Sequence, residues 1–237
     1  MNEKYLLFSS ETFLISKWSV HYFSTLVNQL KKNRWFSIIK EKVGELMKHK
    51  IIISKICISG LCLALGLVLP FITGQIKEIG NMLCPMHIPV IICGFVCGPI
   101  YGLVIGLVTP LLRSVMFIMP PLYPIAAAMA VELAIYGLVS GLLYNILTKK
   151  NKNNNFGISI AYIYISLITA MLVGRVCWGL TRYTFTLIDN TMKFNYQAFI
   201  AGAFVNAWPG IIIQLVIIPL LIAVLVRCKV IPLERYS

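Results

Sequence analysis

Seven polar or aromatic side chains lie in stretches of the sequence that are otherwise apolar. They are His87, Arg113, Glu132, Arg175, Trp178, Arg182 and Asn206. An ionisable residue inside a membrane span costs about 2.5 to 3.5 kcal/mol on insertion scales, so it normally faces a bundle interior, a partner or a ligand. Guanidinium groups bind carboxylates and phosphates through paired hydrogen bonds. The pattern therefore predicts a polar binding site, and the arginines favour an anionic ligand.

The same side chains also allow structural interpretations. Arg113 and Glu132 could form an ion pair within the membrane, Arg182 could extend to the interface, and His87 could be a structural histidine. In the ligand interpretation, Glu132 pairs with an arginine or accepts a hydrogen bond from a ligand. Further aromatic and amide side chains are suited to lining a vitamin-sized ligand. They are Asn81, Tyr123, Tyr136, Trp208 and Gln214.

The composition of the chain is that of an integral membrane protein. Hydrophobic residues make up 59% of the 237 residues and charged residues only 12%, whereas soluble domains carry about 25% charged residues. A helix needs about 20 apolar residues to cross a bilayer. Six apolar runs cover approximately residues 51–73, 82–97, 99–118, 125–147, 156–187 and 198–226. The expected fold is an all-α integral membrane protein, a six-transmembrane-helix bundle.

Residues 1–50 differ in composition from the six-helix membrane domain at residues 51–237. From residue 18 onward, basic residues alternate with aromatic and aliphatic ones, which is typical of a basic amphipathic helix on an anionic membrane surface. We therefore expect an amphipathic N-terminal extension at the cytoplasmic face. The alternatives are an extension without a function and a true start at Met47.

The basic residues also predict how the chain crosses the membrane. The net charge is +13, and most of the lysines and arginines outside the apolar runs lie in residues 1–50, in the loop 148–155 and after residue 226. Six spans place these three segments on one side. Because basic loops are retained in the cytoplasm, both termini are predicted to be cytoplasmic.

Motifs for catalysis and metal binding are missing from the sequence. It contains neither a G-x-x-x-x-G-K-[ST] phosphate loop nor H-E-x-x-H, and its seven cysteines lack the C-x-x-C spacing of a zinc site. We therefore expect no enzyme, no cofactor and no metal, and core thiols rather than ligands. The positive charge is explained by membrane topology, so nucleic acid is not an expected partner.

Three stretches of the sequence carry a resemblance to a known family: PMHIPVIICGFVCGPIYGLVIGLVTPLLRS, MPP and AMAVELAIYGLVSGLLY. They resemble the substrate-binding S components of energy-coupling factor (ECF) transporters, which are bacterial vitamin importers. The resemblance covers approximately residues 50–227. It implies a six-helix subunit of the bacterial cell membrane that binds a vitamin or related micronutrient outside. It also implies a transmembrane coupling subunit and two cytoplasmic ATPase subunits as partners.

The resemblance also implies a docking site on the first helix, where the family carries small residues in an A-x-x-x-A-like pattern. The matching positions are Gly60 and Ala64, and Val68 stands where a third small residue would be. Small side chains let another membrane helix approach closely.

The predicted function is capture of a micronutrient for uptake driven by the partner ATPases. The arginines favour an anion such as pantothenate, with folate, niacin and biotin as alternatives. The alternative function is a self-sufficient secondary transporter or channel for a small organic solute, although no internal repeat of the kind common in such proteins is evident. A membrane scaffold without a ligand is a third interpretation.

Overall fold

A computed structural model describes residues 34–73, 85–150, 156–188, 195–205 and 207–227 of the chain. Every regular element in these ranges is helical. The helices are α1 (Arg34–Thr73), α2 (His87–Cys97), α3 (Pro99–Phe117), α4 (Ala127–Lys150), α5 (Phe156–Ile188), α6 (Tyr196–Ile200) and α7 (Trp208–Arg227). A short π-helical turn follows α6 (Ala201–Val205), and a kinked turn lies before α4 (Leu122–Ala126), where Tyr123 has extended backbone angles. The all-α prediction is confirmed for the described part of the chain.

Five helical stretches are long and apolar enough to cross a membrane. They are Glu41–Ile72, Pro99–Phe117, Leu122–Lys149, Ile160–Ile188 and Gln197–Leu225. Helix α2 is apolar but has only 11 residues, which at a rise of 1.5 Å gives about half the thickness of the hydrocarbon core. The second predicted span begins outside the described residues, so the six-helix count stays a prediction.

The chain divides into two compact units, Met1–Ser54 and Lys55–Ser237. In the first unit, the described residues form the beginning of α1, where Lys42, Lys48 and Lys50 are exposed. Residues 1–33, which hold most of the predicted extension, lie outside the described part. The surface role of that extension therefore stays a prediction.

A sharp turn at Gly98 separates α2 from α3. Gly98 has a φ of 107°, which favours glycine because a Cβ would be strained there. Its N–H donates to the Gly94 carbonyl over 3.1 Å. Pro99 then begins α3, where the N–H that proline lacks would have no partner within the helix. The turn at Gly98 and Pro99 brings α2 and α3 side by side.

Backbone contacts between glycines hold α2, α3 and α4 together. A Cβ on Gly137 of α4 would collide with the main chain of Gly102 in α3, and a Cβ on Gly94 of α2 would collide with the Gly137 carbonyl. A Cβ on Gly106 would collide with the carbonyl of Leu133. Membrane helices often pack by such close approach, because surrounding lipid gives no hydrophobic driving force for their association. The glycines thus allow α4 to lie close to both α2 and α3.

Helix α2 lies at the centre of the second unit and contributes to two groups of buried side chains. Through Cys93 and Val96 it packs with Cys62 of α1 and with parts of α3 and α4. Through Ile91 and Phe95 it packs with α4, α5 and α7. Burial by its neighbours on both sides accounts for a sequence with no charged residue in α2. In the described part of the chain, no group of three or more metal-ligating side chains is suited to a metal ion.

Candidate substrate site

Glu132 places a carboxylate in the interior of the helical bundle. It lies on α4 with 2% of its surface exposed, and it is the only acidic residue in the sequence from residue 79 to residue 188. A buried carboxylate is tolerated only when cations and hydrogen-bond donors surround it. Three side chains meet this need.

All three side chains contact the same oxygen, Glu132 Oε1. Arg175 Nη1 lies 3.0 Å from it, and the Tyr136 hydroxyl donates a hydrogen bond to it over 2.9 Å. His87 Nε2 lies 3.6 Å from the same atom. All four residues are buried. We call this group, His87, Glu132, Tyr136 and Arg175, the Glu132 cluster.

Three helices supply the Glu132 cluster. His87 is the first residue of α2, and Arg175 lies in α5. Glu132 and Tyr136 are four residues apart on α4, a spacing that places them on one face so that the hydroxyl reaches the carboxylate. The Tyr136 ring lies beside the His87 ring, with centroids 5.2 Å apart.

The residue before Arg175 is a glycine that makes room for the cluster. A Cβ on Gly174 would collide with the Tyr136 ring, so the aromatic ring fits against the bare backbone of α5. The guanidinium group of Arg175 thus lies next to the ring whose hydroxyl shares its acceptor. Two adjacent residues of α5 therefore serve the cluster: Gly174 leaves space for the Tyr136 ring, and Arg175 supplies the positive charge.

Arg113 lies outside the cluster. Its Nε donates to the Met119 carbonyl and its Nη1 to the Leu67 carbonyl of α1, each over 3.2 Å. Its guanidinium group also lies over the Phe71 ring, 5.0 Å from the centroid. The ion pair considered for Arg113 and Glu132 is therefore wrong, because Arg175 takes that position. Arg113 instead connects α3 to the end of α1.

Trp178 continues the α5 face one turn beyond Arg175. Its ring stacks on that of Phe199 in α6, with centroids 6.4 Å apart and an interplanar angle of 28°. A Cβ on Gly202 would contact the same indole, so the chain after α6 passes close to it. Arg182, two turns beyond Arg175, is partly buried. Because Arg175, Trp178 and Arg182 follow one another at steps of three and four residues, one face of α5 bears the cluster arginine, an aromatic ring and a second arginine.

Asn206 falls between two described ranges, so its predicted role in binding stays a prediction. Tyr136, by contrast, belongs to the Glu132 cluster, although the sequence indicated it only as a possible lining residue. Its spacing of four residues from Glu132 was the signal that could have identified it.

Gly60 and Ala64 lie on the exposed face of α1. No atom of the described structure comes within 4 Å of a Cβ placed on Gly60. On the opposite face, Cys62 is buried and Gly66 packs against Thr109. The two small residues therefore form a shallow surface on which another helix can pack closely.

One protein-family model matches the chain. Its description is "ECF transporter, substrate-specific component", and it matches residues 54–222. This range includes all four residues of the Glu132 cluster, together with Gly60 and Ala64. No curated protein and no solved structure matches the chain significantly.

Glu132→Gln is expected to destabilise the protein by about 3 to 5 kcal/mol, because it removes the buried carboxylate that lies 3.0 Å from Arg175 Nη1 and so breaks a buried ion pair. Tyr136→Phe keeps the ring and removes one hydrogen bond to the carboxylate, so its cost should be smaller, about 1.5 to 3 kcal/mol. Denaturant unfolding of the purified protein in detergent measures both.

The double variant Glu132→Gln with Arg175→Gln tests whether the attraction between the two buried charges stabilises the cluster. Since it removes both buried charges together, it should be more stable than Glu132→Gln alone. A double variant as unstable as the sum of its two single variants would show that the ion pair does not hold the cluster.

Proposed function

Because the chain belongs to the family of substrate-specific components of ECF transporters, we propose that it captures an anionic, vitamin-like micronutrient outside the cell for uptake by its partner subunits. Members of this family are substrate-binding membrane subunits and not enzymes. The apolar helices agree with a multi-pass membrane protein. The charge of the substrate, its identity and the partner subunits are the parts that we propose.

An excess of positive charge carries the proposal of an anionic substrate. The apolar helices from α2 to α5 contain Arg113, Arg175 and Arg182 but only one acidic residue, Glu132. A carboxylate on the substrate would offset this excess and accept paired hydrogen bonds from a guanidinium group.

The arrangement of α5 supports placing the substrate beside the Glu132 cluster. Trp178 follows Arg175 by one turn and stacks on Phe199, so an aromatic surface adjoins a charged one. Binding sites for small molecules combine an apolar lining with a few convergent polar groups. Pantothenate joins a carboxylate to an aliphatic body and is our first candidate, with niacin, folate and biotin as the alternatives.

We propose that the chain crosses a bacterial cell membrane six times, with α2 as part of the second span and both termini in the cytoplasm. The central position of α2 supports counting it within the bundle, since it packs in both buried groups. The positions of the basic residues support the orientation. The exposed pair Gly60 and Ala64 then lies on a helix that the transmembrane coupling subunit can approach, and two ATPase subunits complete the transporter.

Uptake of labelled pantothenate tests the proposed function. Cells that express the chain together with the coupling subunit and both ATPases should accumulate it, and cells without the ATPases should show only background uptake while the purified chain still binds. Folate, niacin and biotin serve as parallel substrates. Uptake at full rate without the ATPases would favour a self-sufficient secondary transporter.

Gly60→Leu is expected to abolish co-purification with the coupling subunit, because the larger side chain keeps the partner helix away. Substrate binding by the isolated chain should be unchanged, since a Cβ at this position meets nothing within 4 Å.

Ala161→Leu is the matched control, because Ala161 is also a small exposed residue, on α5. It should leave assembly intact. Loss of assembly in both variants, or in neither, would argue against docking through the Gly60 and Ala64 surface.

A further inference from the structure

Gln214 is a buried amide in α7 that makes no hydrogen bond to the described residues. Only 1% of its surface is exposed, and neither Oε1 nor Nε2 has a partner in the described part of the chain. Burying an amide without a partner lowers stability, and hydrocarbon supplies no water to compensate. Folding alone therefore does not explain a glutamine at this position.

Some buried hydroxyl groups in the described helices are satisfied locally, although Ser166 Oγ, like the Gln214 amide, has no hydrogen-bond partner in the described residues. Thr109 donates to the Ile105 carbonyl over 2.6 Å, and Ser140 donates to the Gly137 carbonyl over 3.3 Å. Both hydroxyl groups thus bond to their own helix one turn earlier. Within the described helices, the longer side chain of Gln214 makes no such bond, so its carbonyl oxygen and its NH₂ group have no hydrogen-bond partner there.

Gln214 faces the same interior as the Glu132 cluster. Helix α7 packs against α2 and α5, which carry two members of that cluster. Ile211 and Ile218, three residues before and four residues after Gln214, belong to or pack against the buried group that contains Tyr136. Residues at this spacing share one helix face. Gln214 therefore lies on the face of α7 that packs toward the buried group containing Tyr136.

We infer that Gln214 is a specificity-determining residue of the substrate site, which binds a neutral group that carries both a hydrogen-bond donor and an acceptor. An amide, or a hydroxyl beside a carbonyl, has this chemistry. Nε2 would donate to the substrate oxygen, and Oε1 would accept from its N–H or O–H. The inference rests on the proposed function and adds to it a neutral end of the substrate, held by α7.

Such an arrangement would select substrates strongly. A buried amide discriminates against analogues without the matching polar group, because binding them leaves the amide unpaired. The arginines would attract the anionic end, and Gln214 would distinguish among anions of similar size. Attraction of the anionic end and discrimination among anions would then come from different helices, the second of them from α7.

Gln214→Met tests the inference with the full-length protein in nanodiscs. Methionine is unbranched, of similar length and a good helix former, but it has no amide. Two measurements are made: the melting temperature without any vitamin, and the binding of radiolabelled pantothenate, nicotinate, biotin and folate. Gln197→Met is the control, because Gln197 is an exposed glutamine on α6.

Gln214→Met should melt at the same temperature as the wild type or about 2 to 4 °C higher, because it removes an unpaired buried amide. It should bind the vitamin that the wild type binds about tenfold more weakly or worse. Gln197→Met should change neither quantity.

A lower melting temperature for vitamin-free Gln214→Met would overturn the inference, since it would give the amide a structural role. Unchanged vitamin affinity would overturn it as well. If the wild type bound none of the four vitamins, the proposed substrate class would fail. The vitamin-free melting temperature would still decide about Gln214, because a rise supports an amide kept for a ligand and a fall rejects it.

Discussion

The carboxylate of Glu132 must be neutralised where it lies, and this requirement connects three helices of the bundle. Arg175 supplies the charge from α5, and His87 and Tyr136 approach the same oxygen from α2 and α4. These contacts need α2 close to α4, and the glycine contacts between Gly94 and Gly137 permit that approach. The polar cluster and the glycine packing therefore depend on each other.

The cluster has consequences for binding as well as for stability. Since Glu132 and Arg175 largely neutralise each other, the cluster does not by itself present a strong positive charge. It instead holds α5 in place, and α5 carries Trp178 and Arg182 on the same face. Removing either charge alone would break a buried ion pair, which is strongly destabilising. We therefore infer that the ion pair holds the helices of the proposed substrate site in place, and that neighbouring side chains such as Trp178 and Arg182 determine what binds.

The sequence predicted the class of fold and the family, but not how the helices face one another. Composition alone indicated membrane helices, and Gly98 with Pro99 marked the turn that the structure shows. Helical spacing also placed Arg175 and Trp178 on one face. It could not choose between Arg113 and Arg175 as the partner of Glu132, because that choice depends on the rotation of one helix against another. The length of α2 could not be predicted either, because the glycine and proline residues near its ends leave its first and last residues uncertain from sequence alone.

Native mass spectrometry of the full-length protein, purified in detergent from cells grown in rich medium, would show directly whether the protein holds an anionic substrate. Nanomolar binding corresponds to about 12 kcal/mol, enough for a substrate to remain bound during purification. We expect one small anionic molecule of vitamin size, such as pantothenate, per chain. A bound cationic vitamin, or a protein that carries lipid alone, would contradict a substrate site built beside the Glu132 cluster for an anion.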